Sequence, residues 1–183
     1  PGRALPERAA EAMGGLERLR GLDNLVMTGF GQRYSSNGNI SADPNSPPKW
    51  QAVADSQRNF DLQNERALLQ ERRPYMFPFA LRSGNEWTRN DYVQTGTALL
   101  DHPLPALLEP LDPETRLGTV SIEDGVAVIS FTLESGATAW LGLDPHTHLP
   151  YWSRWVTGSA TLGDVTNTAY FTAASVPAGV SHP

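Results

Sequence analysis

His146-Thr147-His148 is the one place in this chain where two histidines stand close together. Two histidines spaced this way on an extended segment can grip one metal, and a zinc hydrolase can open its site so. The rest of such a site needs an Asp-His pair close behind and further His or Asp ligands. Here Leu149-Pro150 follows, and the other histidines, His102 and His182, each immediately precede a proline. The ligand count fails. The pair reads as a loop between strands, and no metal or other cofactor is expected.

Acyl-transfer chemistry finds no better footing. No G-x-S-x-G elbow occurs, and Ser35-Ser36 and Ser83 sit in loop-like stretches without a nearby base. The carboxylate pairs Asp55/Asp61 and Glu109/Asp112 have the ordinary spacing of a solvated face. No glycine loop suited to phosphate is present. No residue is therefore assigned a catalytic role.

Two groups of residues have the chemistry of a binding surface. Arg72 and Arg73 lie beside Tyr75, Phe77 and Phe79, a mix that suits a protein partner or an anionic amphiphile. Trp140, Trp152 and Trp155 flank the His146 turn. Side chains alternate along a strand, so Trp152 and Trp155 point to opposite faces. One of them needs a second covering layer or a partner.

The elements that must hold these residues are mostly strands. Residues 6–20 carry helical apolar spacing at Ala9, Ala10, Met13, Leu16 and Leu19, with Pro6 suited to the first turn. Gly14-Gly15 weakens that helix. From Asp23 the period becomes two. Strands are expected over LVMTGFGQRY, over 50–62, over 66–75 and over 86–94. On the second, Trp50, Ala52, Ala54 and Phe60 share a face. Gly29 and Gly31 on the first suggest a bend, a bulge or close backbone approach. A short helix is expected over about 105–111. A hairpin turns at Glu123-Asp124-Gly125, between strands at 116–123 and 126–134. Three further antiparallel strands run from Gly136 to Phe171, and the tail from Thr172 has room for one more. The fold class is α+β: a strongly curved antiparallel sheet, a half-barrel, wrapped around an N-terminal helix and a short middle helix.

At 183 residues the chain is expected to form one domain, residues 1–183. The net charge of -6 argues against a nucleic-acid partner, which calls for a basic face. No apolar run approaches the roughly 18 residues of a membrane span. The chain has no cysteine, so disulfides and thiolate metal sites are excluded. It starts at Pro1, so a removed export signal is expected, and with it a periplasmic or secreted location.

Two stretches carry a resemblance. AAEAMGGLERLRGLDNLVMTGFGQ, followed by ISADPNSPPKW and FDLQNERALLQERRP, resembles the N-terminal, non-catalytic region of exported bacterial metallo-beta-lactamase-fold hydrolases. Its A-x-x-A-x-GG-x-x-x-L-x-x-L helix and following G-x-G strand match at Ala9 to Gly31. WLGLDPHTHLPYWSRW with LGDVTNTAYFTAASVPAGVSHP is similar to the lipoprotein-carrier half-barrel of the LolA/LolB kind. That fold's D-P-x-T-x-L-P turn falls on Asp144, Pro145, Thr147, Leu149 and Pro150. The resemblance implies a curved sheet embracing helices, an apolar concavity and a periplasmic setting. The hydrolase H-x-H-x-D-H motif is absent, so no catalytic residue carries over. The expected role is an accessory or assembly domain of an exported metallo-hydrolase, in a homo-oligomer or against a partner hydrolase chain. The alternative is a stand-alone module that binds a lipid or another hydrophobic small molecule. In either case the surface residues are Arg72, Arg73, Tyr75, Phe77, Phe79, Trp140, Trp152 and Trp155.

Overall fold

The computed structural model describes residues 2–64, 66–77, 87–93, 99–159 and 163–172. The expected α+β class is observed, with antiparallel strands in two sheets, neither of which closes. The chain divides into two compact units, Asn24–Val93 and Pro1–Asp23 with Gln94–Pro183.

In the second of these units, α1 (Ala4–Ala12) and α2 (Leu16–Arg20) replace the single expected helix. Gly14 and Gly15 take φ of 107° and 98°, outside the right-handed region, so the pair breaks the helix instead of weakening it. Both pieces pack on α3 (Pro103–Leu111). α3 starts two residues before the expected Pro105. Pro103 needs no amide partner at the first position, and His102 Nδ1 accepts the Leu104 amide at 3.2 Å as a cap. At its other end, Arg20 Nη2 donates to the Leu111 carbonyl at 3.0 Å and Arg3 Nη1 to the Asp112 carbonyl at 2.8 Å. Both cations sit where the carbonyls of a helix end are unpaired and the dipole is negative.

The sheet of this unit has the order β10-β9-β8-β7-β6. Its strands are β6 (Arg116–Glu123), β7 (Val126–Thr132), β8 (Thr138–Leu143), β9 (Pro150–Ser159) and β10 (Gly163–Tyr170). Ile129 pairs with Leu141, and Phe131 with Ala139, so their side chains share one face. All four are buried, as are Leu104, Leu107 and Leu111 of α3. Ser153, opposite Leu141 on that face, donates its hydroxyl to the Leu100 carbonyl and ties the approach to α3 onto β9. The β6–β7 turn forms where expected, with Asp124 and Gly125 both at positive φ.

The other face holds a close-packed residue pair beside the buried Val128. Gly142 lies opposite Trp152, and the indole rests on the glycine. A Cβ at position 142 would stand 2.6 Å from Trp152 Nε1 and 2.8 Å from its Cδ2. Gly142→Ala is expected to cost about 1–3 kcal/mol of stability through overpacking. Urea unfolding followed by tryptophan fluorescence checks this. An unchanged midpoint would show that the indole is not held there.

The sheet of the Asn24–Val93 unit has the order β1-β2-β3-β5, with β4 also paired to β2. Its strands are β1 (Asn24–Asn39), β2 (Pro48–Asp61), β3 (Arg66–Arg72), β4 (Tyr75–Phe77) and β5 (Trp87–Val93). The expected third strand thus divides into β3 and β4 around Pro74, which has no amide hydrogen to give the ladder. The final strand expected after Thr172 lies outside the described residues.

A bulge rephases β2. Gly29 pairs with Ser56 but Gly31 pairs with Val53, so Ala54 and Asp55 together oppose Phe30. Leu25, paired with Phe60, and Tyr34, paired with Trp50, fall on opposite faces of β1. Trp50 and Ala52 therefore leave the face of Phe60, on which the strict alternation of β2 had placed them. The bulge falls beside the expected glycines. Among the described residues close backbone approach is not observed there, since none of their atoms lies within 4 Å of a Cβ built on Gly29 or Gly31.

Candidate functional site

The rephased sheet has two unlike faces. One carries the buried Val53, Phe60, Ala67 and Leu69. On the other, Tyr34 of β1, Trp50 of β2 and Phe77 of β4 stand in one row, because Trp50 pairs with both neighbours. The Trp50 and Phe77 rings stack with centroids 5.7 Å apart and 15° between planes. Tyr34 Oη donates to Gln32 Oε1 at 3.1 Å on the same strand face. Phe30 and Val26 continue the row along β1, the outer strand of the described sheet. Phe30 is 88% exposed and Tyr34 61%. An aromatic surface of this kind gains free energy when another surface covers it.

Arg72 and Arg73, adjacent in sequence, are divided between different carboxylates. Arg72 is ion-paired with Asp55, its cross-strand partner. Arg73 binds the buried Glu71, its Nε donating to Oε2 at 2.8 Å. Arg33 reaches the same carboxylate from β1, its Nη2 lying 3.1 Å and 3.2 Å from the two oxygens. Phe77 joins the aromatic row. Tyr75 pairs with Ala52 through the backbone, and Phe79 lies outside the described residues.

The tryptophan group belongs to the other unit. Trp140 and Trp152 share a sheet face and Trp155 takes the opposite one, as alternation requires. Trp152 is buried between Gly142 and the Arg154 guanidinium, whose carbon lies 4.3 Å from the ring centroid. Arg154 also bonds Glu123 at 3.2 Å. Trp140 and Trp155 are half-buried. The covering that the opposed tryptophans called for is thus partly supplied by Arg154.

No family model matches this sequence, and no curated protein matches it significantly.

The His146 turn is built by a carboxylate. Asp144 Oδ1 accepts from the His146 amide at 2.9 Å, the Thr147 amide at 2.7 Å and the Thr147 hydroxyl at 3.0 Å. His148 closes the turn with φ of 61° and donates its amide to the Asp144 carbonyl at 2.8 Å. His148 then borders an open groove of about 810 Å³ with Glu7, Arg8, Glu11 and Leu16. Among the described residues no group of three or more His, Asp or Glu is placed to hold a metal.

The amides of Thr147 and His146, then the Thr147 hydroxyl, hold the Asp144 carboxyl below its ordinary 3.8. Asn64 does the same for Asp61 in the β2–β3 turn, by its side-chain amide first. A carboxyl depressed in the folded state stabilises above its unfolded value and loses that effect as pH falls through the folded value. Asp144→Ala is therefore expected to lower the urea midpoint at neutral pH. The gap from the wild type should narrow below pH 3.8. A gap independent of pH across that range would mean that the charge contributes nothing.

Alternation along β1 places Val26, Phe30 and Tyr34 on one face, a signal available in LVMTGFGQRY. The long-range partners of that face, Trp50 and Phe77, depend on the bulge and on the split at Pro74. Glu71 and Arg33 carried no local signal at all.

Proposed function

We propose that this chain is a non-catalytic accessory or assembly domain of an exported metallo-hydrolase, and that it makes subunit contacts through the aromatic face of the Asn24–Val93 unit. The observation that carries this reading is Phe30, 88% exposed on an outer strand, with Tyr34, Trp50 and Phe77 in the adjoining row. Large aromatic side chains are the commonest anchors of protein interfaces. Burying one such side chain is worth about 1.5–3 kcal/mol. An outer strand also offers backbone groups to a partner strand. The partner is a second copy or the hydrolase chain itself.

The resemblance adds the rest of the reading. It supplies a periplasmic or secreted setting and a strongly curved, half-barrel course for the strands. The antiparallel order of both sheets is compatible with that course, and no helix of the described residues is long and apolar enough to cross a membrane. The rival carrier reading draws on the groove beside α1, whose volume suits a small molecule. Its lining combines the apolar Ala4, Ala12 and Leu16 with the charged Glu7, Arg8 and Glu11.

Native mass spectrometry of the wild type and of Phe30→Ser tests the proposal. The wild type is expected to appear with a second copy or a hydrolase partner. Phe30→Ser should weaken that association while keeping thermal stability, since an exposed site changes stability by no more than about 0.5 kcal/mol. A wild type that remains a lone monomer when mixed with its candidate hydrolase would overturn the assembly reading.

A further inference from the structure

We infer that the buried face of the Asn24–Val93 sheet holds a binding site for a monocarboxylate with a short apolar tail, formed by Arg33 and Arg73 on Glu71 beside the shelf of Gly29 and Gly31. Glu71 is the pivot. Its side chain is only 6% exposed, and it binds two guanidinium groups. Two guanidinium groups converge on this one carboxylate, a balance that suits an anion.

Neither arginine is fully used. Arg33 reaches Glu71 through Nη2 alone, and Arg73 through Nε and Nη2. Among the described residues, Arg33 Nε and Nη1 and Arg73 Nη1 have no other hydrogen-bond partner. Arg33 is 49% exposed and Arg73 22%, so both are open to a ligand while their forks are held in place. A guanidinium so oriented matches a carboxylate in shape and charge.

The space beside them is shaped by small residues. Gly29, Ser56 and Glu71 form one cross-strand row, and Gly31 comes two residues before Arg33. Among the described residues, nothing lies within 4 Å of a Cβ built on either glycine. Met27 and Val53 border this shelf on the same face, and Met27 is exposed. A short hydrocarbon tail has room there. A longer branched side chain at either glycine would fill it. This site lies on the face opposite the aromatic row and does not depend on the assembly reading.

Titration calorimetry with hexanoate and with acetate tests the inference. Hexanoate is expected to bind at about millimolar concentration or better, and more tightly than acetate. Arg33→Gln should weaken both ligands roughly tenfold or more, since a charge-assisted contact is lost. Arg73 still pairs with Glu71 in that variant. Gly31→Val, in open space, should lower hexanoate affinity to the level of acetate and leave acetate unchanged. Phe30→Ser should leave both unchanged. No binding of hexanoate by the wild type would overturn the site, and so would Arg33→Gln binding as tightly as the wild type. Equal loss of both ligands in Gly31→Val would overturn the placement of the tail.

Discussion

A single extra residue in β2 sets the character of the Asn24–Val93 sheet. Where Ala54 and Asp55 together face Phe30, the alternation of β2 slips by one position. Before the slip, Trp50 and Ala52 belong to one face. After it, Ser56, Arg58 and Phe60 belong to the other. Without it Trp50 would share the buried face with Phe60, and the row from Tyr34 to Phe77 would not exist. The same slip places Val53 with Ser56 and Phe60, opposite Gly31. Both the aromatic face and the glycine shelf follow from one local irregularity.

Charge is handled by pairing across strands. Arg72 meets Asp55 on one face, and Arg73 and Arg33 meet Glu71 on the other. A carboxylate as buried as Glu71 carries a desolvation penalty of several kcal/mol, and two guanidinium partners offset it. In the other unit, Arg154 is shared between Glu123 and the Trp152 ring. These arginines do structural work that their position in sequence does not reveal. The adjacent pair Arg72-Arg73 is the clearest case. Arg72 ends β3 and pairs with Asp55, while Arg73 just beyond it turns back to Glu71, so the two do not form one basic patch.

Much of the element order was legible in the sequence. The turn at Glu123-Asp124-Gly125 has residues that tolerate positive φ, and the backbone adopts it. The D-P-x-T-x-L-P segment encodes its own turn, because Asp144 and Thr147 bond to amides two or three residues away. The helix break at Gly14-Gly15 was visible as weakness, though not as a full stop. Less legible was anything that needs a partner distant in sequence. Gly142 gives no hint of Trp152, and Glu71 gives none of Arg33.

The sequence by itself determined the class of structure, the strand-rich order and the local turns. Those depend on periodicity and on side chains that bond within a few residues. It also displayed the candidates, from the His146 turn to the tryptophans and the Arg72-Arg73 pair. Only the tertiary structure decided which of them share a face. A strand shows its pairing partners only once register is set, and one bulge moves every later side chain to the other side. The aromatic row and the paired arginines of Glu71 are products of that register.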